Sequence, residues 1–231
     1  MRKYVLTLLV TLTCIGAGMM FLVMNHQNQL AIAQEKEVKN ETVKLPAPKY
    51  DGNVSVEKTL KERRSVRSYQ DEPLTLAEVS QILWSAQGIT DSTTGHRTAP
   101  SARAMYLINV YLLPGKVTGL PMGLYKYQPQ GHELLKIADG DMKTKLFDAA
   151  GQAPIKNAPA ALIITGLADR SKDPNWMYLE SGHVAQNIYL QGVSLKLGTV
   201  VMAGFKPEEV AKALSLPKNE QLIYIMPLGR K

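Results

Sequence analysis

The sequence predicts an α+β fold, and three observations predict it. Helical and strand-like segments are intermingled along the chain without regular strand–helix–strand alternation, which argues against a doubly wound parallel sheet. Leu124–Tyr127 and Glu133–Ile137 flank Pro129-Gln130-Gly131 in the manner of an antiparallel hairpin. The longest helical stretch, Trp176–Leu197, interleaves Val184, Ile188 and Leu195 with the small residues Gly182, Ala185 and Gly192. Such a helix packs closely and therefore centrally.

The remaining elements follow in chain order. Residues 1–33 read as an export segment: Arg2 and Lys3 are positive, Tyr4 to Met24 is apolar, and Ala31-Ile32-Ala33 fits a small-x-small cleavage site. The apolar run also has the length of a membrane span. The two readings are therefore a cleaved signal peptide and an uncleaved anchor. Both put the domain outside the cytoplasm, exported to the periplasm or an equivalent space. Residues 34–55 read as a linker, extended at Leu45-Pro46-Ala47-Pro48, and residues 56–231 as one domain. Within it Val56–Glu62 is a short helix. Thr75-Leu76-Ala77-Glu78 is a capping box opening a helix whose apolar face is Leu76, Val79, Ile82, Leu83 and Ala86, ended by Gly88. Met105–Leu113 is a strand, Asp141–Gln152 a helix and Ala160–Thr165 a buried strand. Gly198 ends the long helix and Thr199–Met202 is a short strand. Pro207 starts a helix that runs to Leu214, and Leu222–Met226 is the last strand.

Composition excludes several functions. The one cysteine, Cys14, lies in the export segment, so the domain has no disulfide, cysteine-ligated metal or thiol nucleophile. The net charge of +7 comes with few aromatics, at 6%. With no block of like charges, this is not the pattern of a nucleic-acid binder. His26, His96, His132 and His183 are scattered, without metal-ligand spacing, so no metal site is expected. There is no Walker motif, no Gly-x-Gly-x-x-Gly and no Gly-x-Ser-x-Gly. The densest chemical group is Arg63, Arg64, Ser65 and Arg67 after a short helix. Three guanidiniums and a hydroxyl can grip a phosphate, and they can equally form a solvated basic turn.

Arg63-Arg64-Ser65-Val66-Arg67-Ser68-Tyr69, followed by Glu72-Pro73-Leu74-Thr75, resembles the opening of the nitroreductase family. Leu83-Trp84-Ser85-Ala86-Gln87-Gly88-Ile89-Thr90 and Arg97-Thr98-Ala99-Pro100-Ser101-Ala102 resemble its SagB-type, thiazoline-oxidase-like branch. Glu180-Ser181-Gly182-His183-Val184-Ala185-Gln186-Asn187, Leu197-Gly198-Thr199-Val200 and Pro227-Leu228-Gly229 continue the likeness in the family's order.

The resemblance implies a nitroreductase-like fold, with a central mostly antiparallel sheet flanked by helices, and a homodimer with FMN at the subunit interface. It assigns the FMN phosphate and ribityl chain to Arg63, Arg64, Ser65 and Arg67, with Arg230 as a further phosphate ligand. Pro100, Ser101 and Ala102 would lie along the flavin, and Val201, Met202, Ala203 and Gly204 would offer backbone N–H groups near N5. It implies an FMN-dependent oxidoreductase that passes electrons from a donor to a small organic acceptor by a ping-pong cycle. Proximity on the flavin face replaces a catalytic side chain. Two alternatives share the fold: a non-catalytic exported flavin-binding module, and an enzyme in which O2 fragments reduced FMN. The sequence departs from the branch at Arg103, where the branch has Gly. The cation would narrow the pocket, select an acidic substrate, or point to solvent. The branch's Lys-Tyr pair has no match in Arg170–Trp176, which argues against azoline oxidation.

Overall fold

The structure is a computed structural model and describes residues 41–231. The expected export segment and the first part of the expected linker, residues 34–40, lie outside the described residues. Among the described residues no helix is long and apolar enough to cross a membrane.

The fold is α+β and is built on one seven-stranded sheet. In chain order its strands are β1 (Thr42–Lys44), β5 (Ile108–Pro114), β7 (Gly123–Gln128), β8 (Glu133–Asp139), β9 (Ala160–Leu167), β10 (Leu197–Thr199) and β11 (Glu220–Arg230). The spatial order is β1-β8-β7-β5-β9-β11-β10, and every neighbouring pair is antiparallel. Two small ladders lie outside it, β2 (Leu74–Thr75) with β6 (Val117–Thr118) and β3 (Ile89–Asp91) with β4 (His96–Arg97).

Helices cover both faces. Leu76–Gln87 (α2) and Pro174–Ser194 (α5) bury Val79, Ile82, Leu83, Val184 and Ile188 against Ile108, Val110, Leu162 and Ile164. On the opposite face Met142–Ala150 (α3), Ala153–Asn157 (α4) and Pro207–Ala213 (α6) pack Leu146, Ile155 and Val210 against Tyr111, Ile163 and Ile225. The interior strand β9 is therefore buried on both sides and reads as a continuous apolar run rather than an alternating one. Each of Leu162, Ile163 and Ile164 is fully buried and contributes about 1.5–3 kcal/mol. That offsets the roughly 1–2 kcal/mol lost in fixing each backbone unit.

Local chemistry sets the helix ends. Thr75 and Glu78 form the expected capping box, with Glu78 N–H donating to Thr75 Oγ1 at 3.2 Å and Thr75 N–H to Glu78 Oε2 at 2.8 Å. Asp141 caps α3, and Gly151 ends it in the left-handed conformation. Pro207 occupies the first turn of α6. A short helix α1 (Val56–Glu62) leads into the arginine turn.

Three sequence expectations need correction. The long helix stops at Ser194, and Lys196 takes the left-handed turn at φ 58°, so Gly198 does not end it. Gly198 instead sits inside β10, where an added Cβ would meet the Val66 side chain at 2.7 Å. The short strand is Leu197–Thr199, not Thr199–Met202, and the last strand is longer than its apolar core, running from Glu220 to Arg230.

Part of the expected linker, within the described residues, packs on the domain before Val56. Residues 42–44 pair with β8, Leu45 is buried, and Lys49 exchanges two hydrogen bonds with the Gln81 side chain. Three strand residues at a sheet edge carry too little periodicity to be seen in sequence. His132 fastens this segment. Its Nε2 lies 3.0 Å from Pro46 O and 2.8 Å from Ser80 Oγ, and its Nδ1 lies 2.8 Å from Tyr127 Oη.

Burial holds the His132 imidazole below the ordinary histidine range. The unfolded chain therefore binds this proton at higher pH than the folded one. The stabilisation is fully present above the unfolded value, about 6.5, and is lost as pH falls through the lower folded value. We expect the stability difference between the wild type and His132→Gln, from urea denaturation, to shrink from about pH 7.5 to about pH 5.5. A difference independent of pH would contradict this.

Candidate functional site

Helix α5 carries a polar stripe on an otherwise apolar helix: Glu180, His183, Asn187 and Gln191, spaced to lie on one face. The stripe holds the loop before β5. Asn187 Nδ2 donates to Thr98 O at 3.2 Å, His183 Nδ1 lies 3.1 Å from Pro100 O, and Ser101 Oγ donates to Glu180 Oε2 at 2.6 Å. Glu180 is buried and also accepts Leu107 N–H at 3.2 Å, Ile108 N–H at 3.3 Å and Gln87 Nε2 at 3.2 Å. Its four donors come from α2, the loop and β5. A buried carboxylate satisfied in this way is tolerated, whereas an unsatisfied one is not.

The loop so held is strained. Arg103, Ala104 and Tyr106 have φ of 53°, 52° and 49°, a region that costs non-glycine residues about 1–2 kcal/mol. Strain of this kind persists where surrounding contacts over-determine the backbone. Here they include the Tyr106 N–H bond to Ser101 Oγ at 2.8 Å. Arg103 is exposed and its guanidinium lies over Trp176, 5.6 Å from the ring centroid, so the glycine-to-arginine departure puts its cation on a half-buried indole. Pro100 and Ala102 are exposed beside the half-buried Ser101.

A second cluster forms further along α5 at Tyr189. Its hydroxyl accepts Val201 N–H at 2.8 Å and lies 3.4 Å from Ser65 Oγ, and the Arg63 guanidinium sits 5.1 Å over its ring. Ser65 bridges to Thr199, and Val66 N–H donates to Thr199 O at 2.9 Å. Burial raises the Tyr69 phenol well above its ordinary range, so it stays neutral and donates to Val66 O at 2.7 Å. The turn is thereby fixed against β10 and β11. Arg64 donates only to the backbone carbonyls of Lys61 and Arg63, and Arg67 is exposed. Among the described residues, Arg63, Arg64 and Arg67 have no carboxylate within salt-bridge distance. A small pocket here is lined by Glu62, Arg64, Val66, Tyr189, Thr199 and Lys231, the Glu62 carboxylate lying within 3.9 Å of Lys58, and among the described residues the buried Thr199 hydroxyl has no hydrogen-bond partner.

Of the segment expected near the flavin ring, Met202 is held by two bonds with Ile225, at 2.9 and 3.0 Å. Ala203 and Gly204 are exposed, and Gln152 Nε2 donates to Gly204 O at 2.7 Å. Arg230 differs from the rest. Its guanidinium pairs with Glu72 at 3.1 Å and Glu78 at 2.9 Å, so its charge is spent on two carboxylates away from the turn. Lys231, which the sequence reading passed over, lines the turn's pocket instead. That reading also gave no role to Glu180, Tyr189, Gln87 or Thr199. The signal for Glu180 was present, in polar residues at helical spacing on an apolar helix. Tyr189 and Thr199 owe their importance to contacts distant in sequence.

Among the described residues, the fold and the site define an α+β protein with a seven-stranded antiparallel sheet between two helix layers and a basic turn without carboxylate partners beside the longest helix. The model of the nitroreductase family matches residues 60–230. A protein of Methanocaldococcus jannaschii that bears a nitroreductase's name is 38% identical over 83% of this chain and 98% of its own. A crystal structure from Ralstonia eutropha, described as a nitroreductase, superposes with a TM-score of 0.72 at 30% identity, over 83% of this chain and 90% of that one. A Desulfovibrio desulfuricans nitroreductase crystallised with FMN shares the fold, with a TM-score of 0.58 at 16% identity over 76% and 85% of the two chains. The chain belongs to the nitroreductase family, oxidoreductases that generally bind flavin.

Glu180→Gln replaces a carboxylate that satisfies two backbone N–H groups with an amide whose NH2 must face one of its donors. We expect a loss of about 2–4 kcal/mol in denaturant unfolding. An unchanged midpoint would show that the carboxylate does not hold the loop.

Proposed function

We propose that this protein is an exported FMN-dependent oxidoreductase, a homodimer of the SagB-type branch. The observation that carries the reading is the arginine turn: among the described residues its three guanidiniums have no carboxylate in salt-bridge distance, and the buried Thr199 hydroxyl beside them has no hydrogen-bond partner. An unsatisfied buried hydroxyl is costly, and unpaired cations at one turn repel one another. A phosphorylated ligand relieves both, so the residues present fit FMN.

In this reading Arg63, Arg64, Ser65 and Arg67 hold the phosphate and ribityl chain. Tyr189 positions the turn, with Arg63 laid on its ring. Arg230 leaves the phosphate group because its charge is already neutralised, and Lys231 is better placed. Pro100, Ser101 and Ala102 line the flavin on a loop that Glu180 makes rigid. The N–H groups of Val201 and Met202 are used by Tyr189 and Ile225, so Ala203 and Gly204 supply the donors near N5. Bound FMN would supply the redox chemistry, taking electrons from a donor and passing them to a small organic acceptor in turn, the ping-pong cycle.

The second copy of the chain has surface to bind. Val56 and Leu60 on α1 are 63% and 53% exposed, and Leu179 on α5 is 62% exposed. The two helices pack against each other, and exposed apolar side chains of this kind are what a partner copy would cover.

The purified protein should absorb in the visible as a flavoprotein or become yellow on adding FMN. A protein that stays colourless refutes the reading. Arg67→Ala should weaken FMN affinity about tenfold or more, the worth of one charge-assisted contact, and unchanged affinity would remove the phosphate assignment. Leu179→Asp should shift the protein from dimer to monomer in sedimentation, and an unshifted profile would move the interface elsewhere.

A further inference from the structure

A second basic site lies apart from the arginine turn. Between the loop that precedes β5, the start of β5, the β7–β8 hairpin and the end of β9 there is a pocket of about 100 Å³. Its polar lining includes Gln87, Arg97, Asn109, Lys126, Gln128 and Arg170.

The charges around it do not balance. Arg97 is half-buried, and desolvation pulls its guanidinium below the ordinary arginine range. Its Cζ lies over Tyr106 at 4.4 Å from the ring centroid. One of its N–H groups donates to Gln87 Oε1 at 3.1 Å. Gln87 in turn donates to Glu180, which already accepts from four donors. Lys126 is paired with Glu220 at 3.0 Å, and Glu220 also accepts Tyr111 and Thr165. Both buried acids are therefore saturated from behind. Arg170, on the exposed rim, is close enough to repel Arg97, and neither arginine has a carboxylate partner among the described residues.

Arg97 lies over the Tyr106 ring and among the described residues spends one N–H on Gln87. Its other N–H groups remain free, and a guanidinium's paired donors match the two oxygens of a carboxylate. The left-handed backbone of Tyr106 at φ 49° sets the ring beneath it. We propose that this pocket binds a small carboxylate, held in-plane by Arg97, with Arg170 closing over it and the amides of Asn109 and Gln128 satisfying its remaining lone pairs. The volume admits a carboxylate with a short chain and no ring system. The site rests on Arg97 and Arg170 and stands whether or not the arginine turn binds FMN.

The test uses the full-length protein, labelled with nitrogen-15, and sodium acetate titrated against sodium chloride at constant ionic strength. The Arg97 Nε–H resonance should shift and saturate in the millimolar range. Arg170→Gln, a change at an exposed side chain, should weaken acetate binding about threefold or more by removing one nearby charge. Arg97→Gln should abolish saturation. Lys145→Gln, which removes the same charge from α3 on the other face of the sheet, should leave the titration unchanged. The proposal is overturned if the shifts rise linearly without saturating. It is equally overturned if Arg170→Gln titrates like the wild type, or if Lys145→Gln weakens binding as much. Should Arg97→Gln fail to fold, the Arg170→Gln comparison decides alone.

Discussion

The buried carboxylate of Glu180 is the constraint on which the rest of the site depends. It lies mid-helix on an apolar surface and is kept there by four donors that belong to three other pieces of the chain. Those bonds fix the start of β5, the loop ahead of it and the end of α2 relative to α5. The same loop carries three residues in left-handed backbone, a conformation that needs outside reinforcement. Glu180 and the Asn187 and His183 contacts beside it supply that reinforcement. Gln87 extends the network to Arg97 and so couples the loop to the second basic pocket.

Tyr189 does the corresponding task nine residues on, about 13 Å along the helix axis. Its ring carries Arg63, and its hydroxyl meets both the arginine turn and the segment after β10. One rigid helix thereby spaces two cradles, with the polar stripe holding one and a single aromatic the other. Sites set on regular elements are held more precisely than sites left to free loops. The arginine turn and the end of β11 differ in electrostatics. Among the described residues the turn's cations have no carboxylate partner, whereas Arg230, which is adjacent in sequence to Lys231, is locked by Glu72 and Glu78. That ion pair ties the end of β11 to the capping box of α2 and is structural.

Much of this was legible in the sequence where physics is local. The capping box at Thr75, the hairpin around Pro129, the Pro207 start of α6 and the apolar face of α2 all follow from short-range rules, and all appear as expected. The family resemblance carried the fold class, because motif order over most of the chain is more specific than any single motif. Long-range contacts carried no such signal. The strand at Thr42–Lys44 exists because β8 offers an edge to pair with, and Gly198 matters because Val66 approaches it. Charge alone did not reveal that Arg230 is paired, since the partners Glu72 and Glu78 lie more than a hundred and fifty residues earlier. Glu180 stood inside a recognised motif, yet only the fold shows what it holds.

The central claim is that the arginine turn recognises a phosphate rather than serving as a solvated corner. Comparing FMN with riboflavin, which lacks only the phosphate, measures this directly by equilibrium binding to the same protein at fixed salt. The account predicts that FMN binds about a hundredfold more tightly or better, the worth of two or more charge-assisted hydrogen bonds. Equal affinities for the two flavins would contradict it.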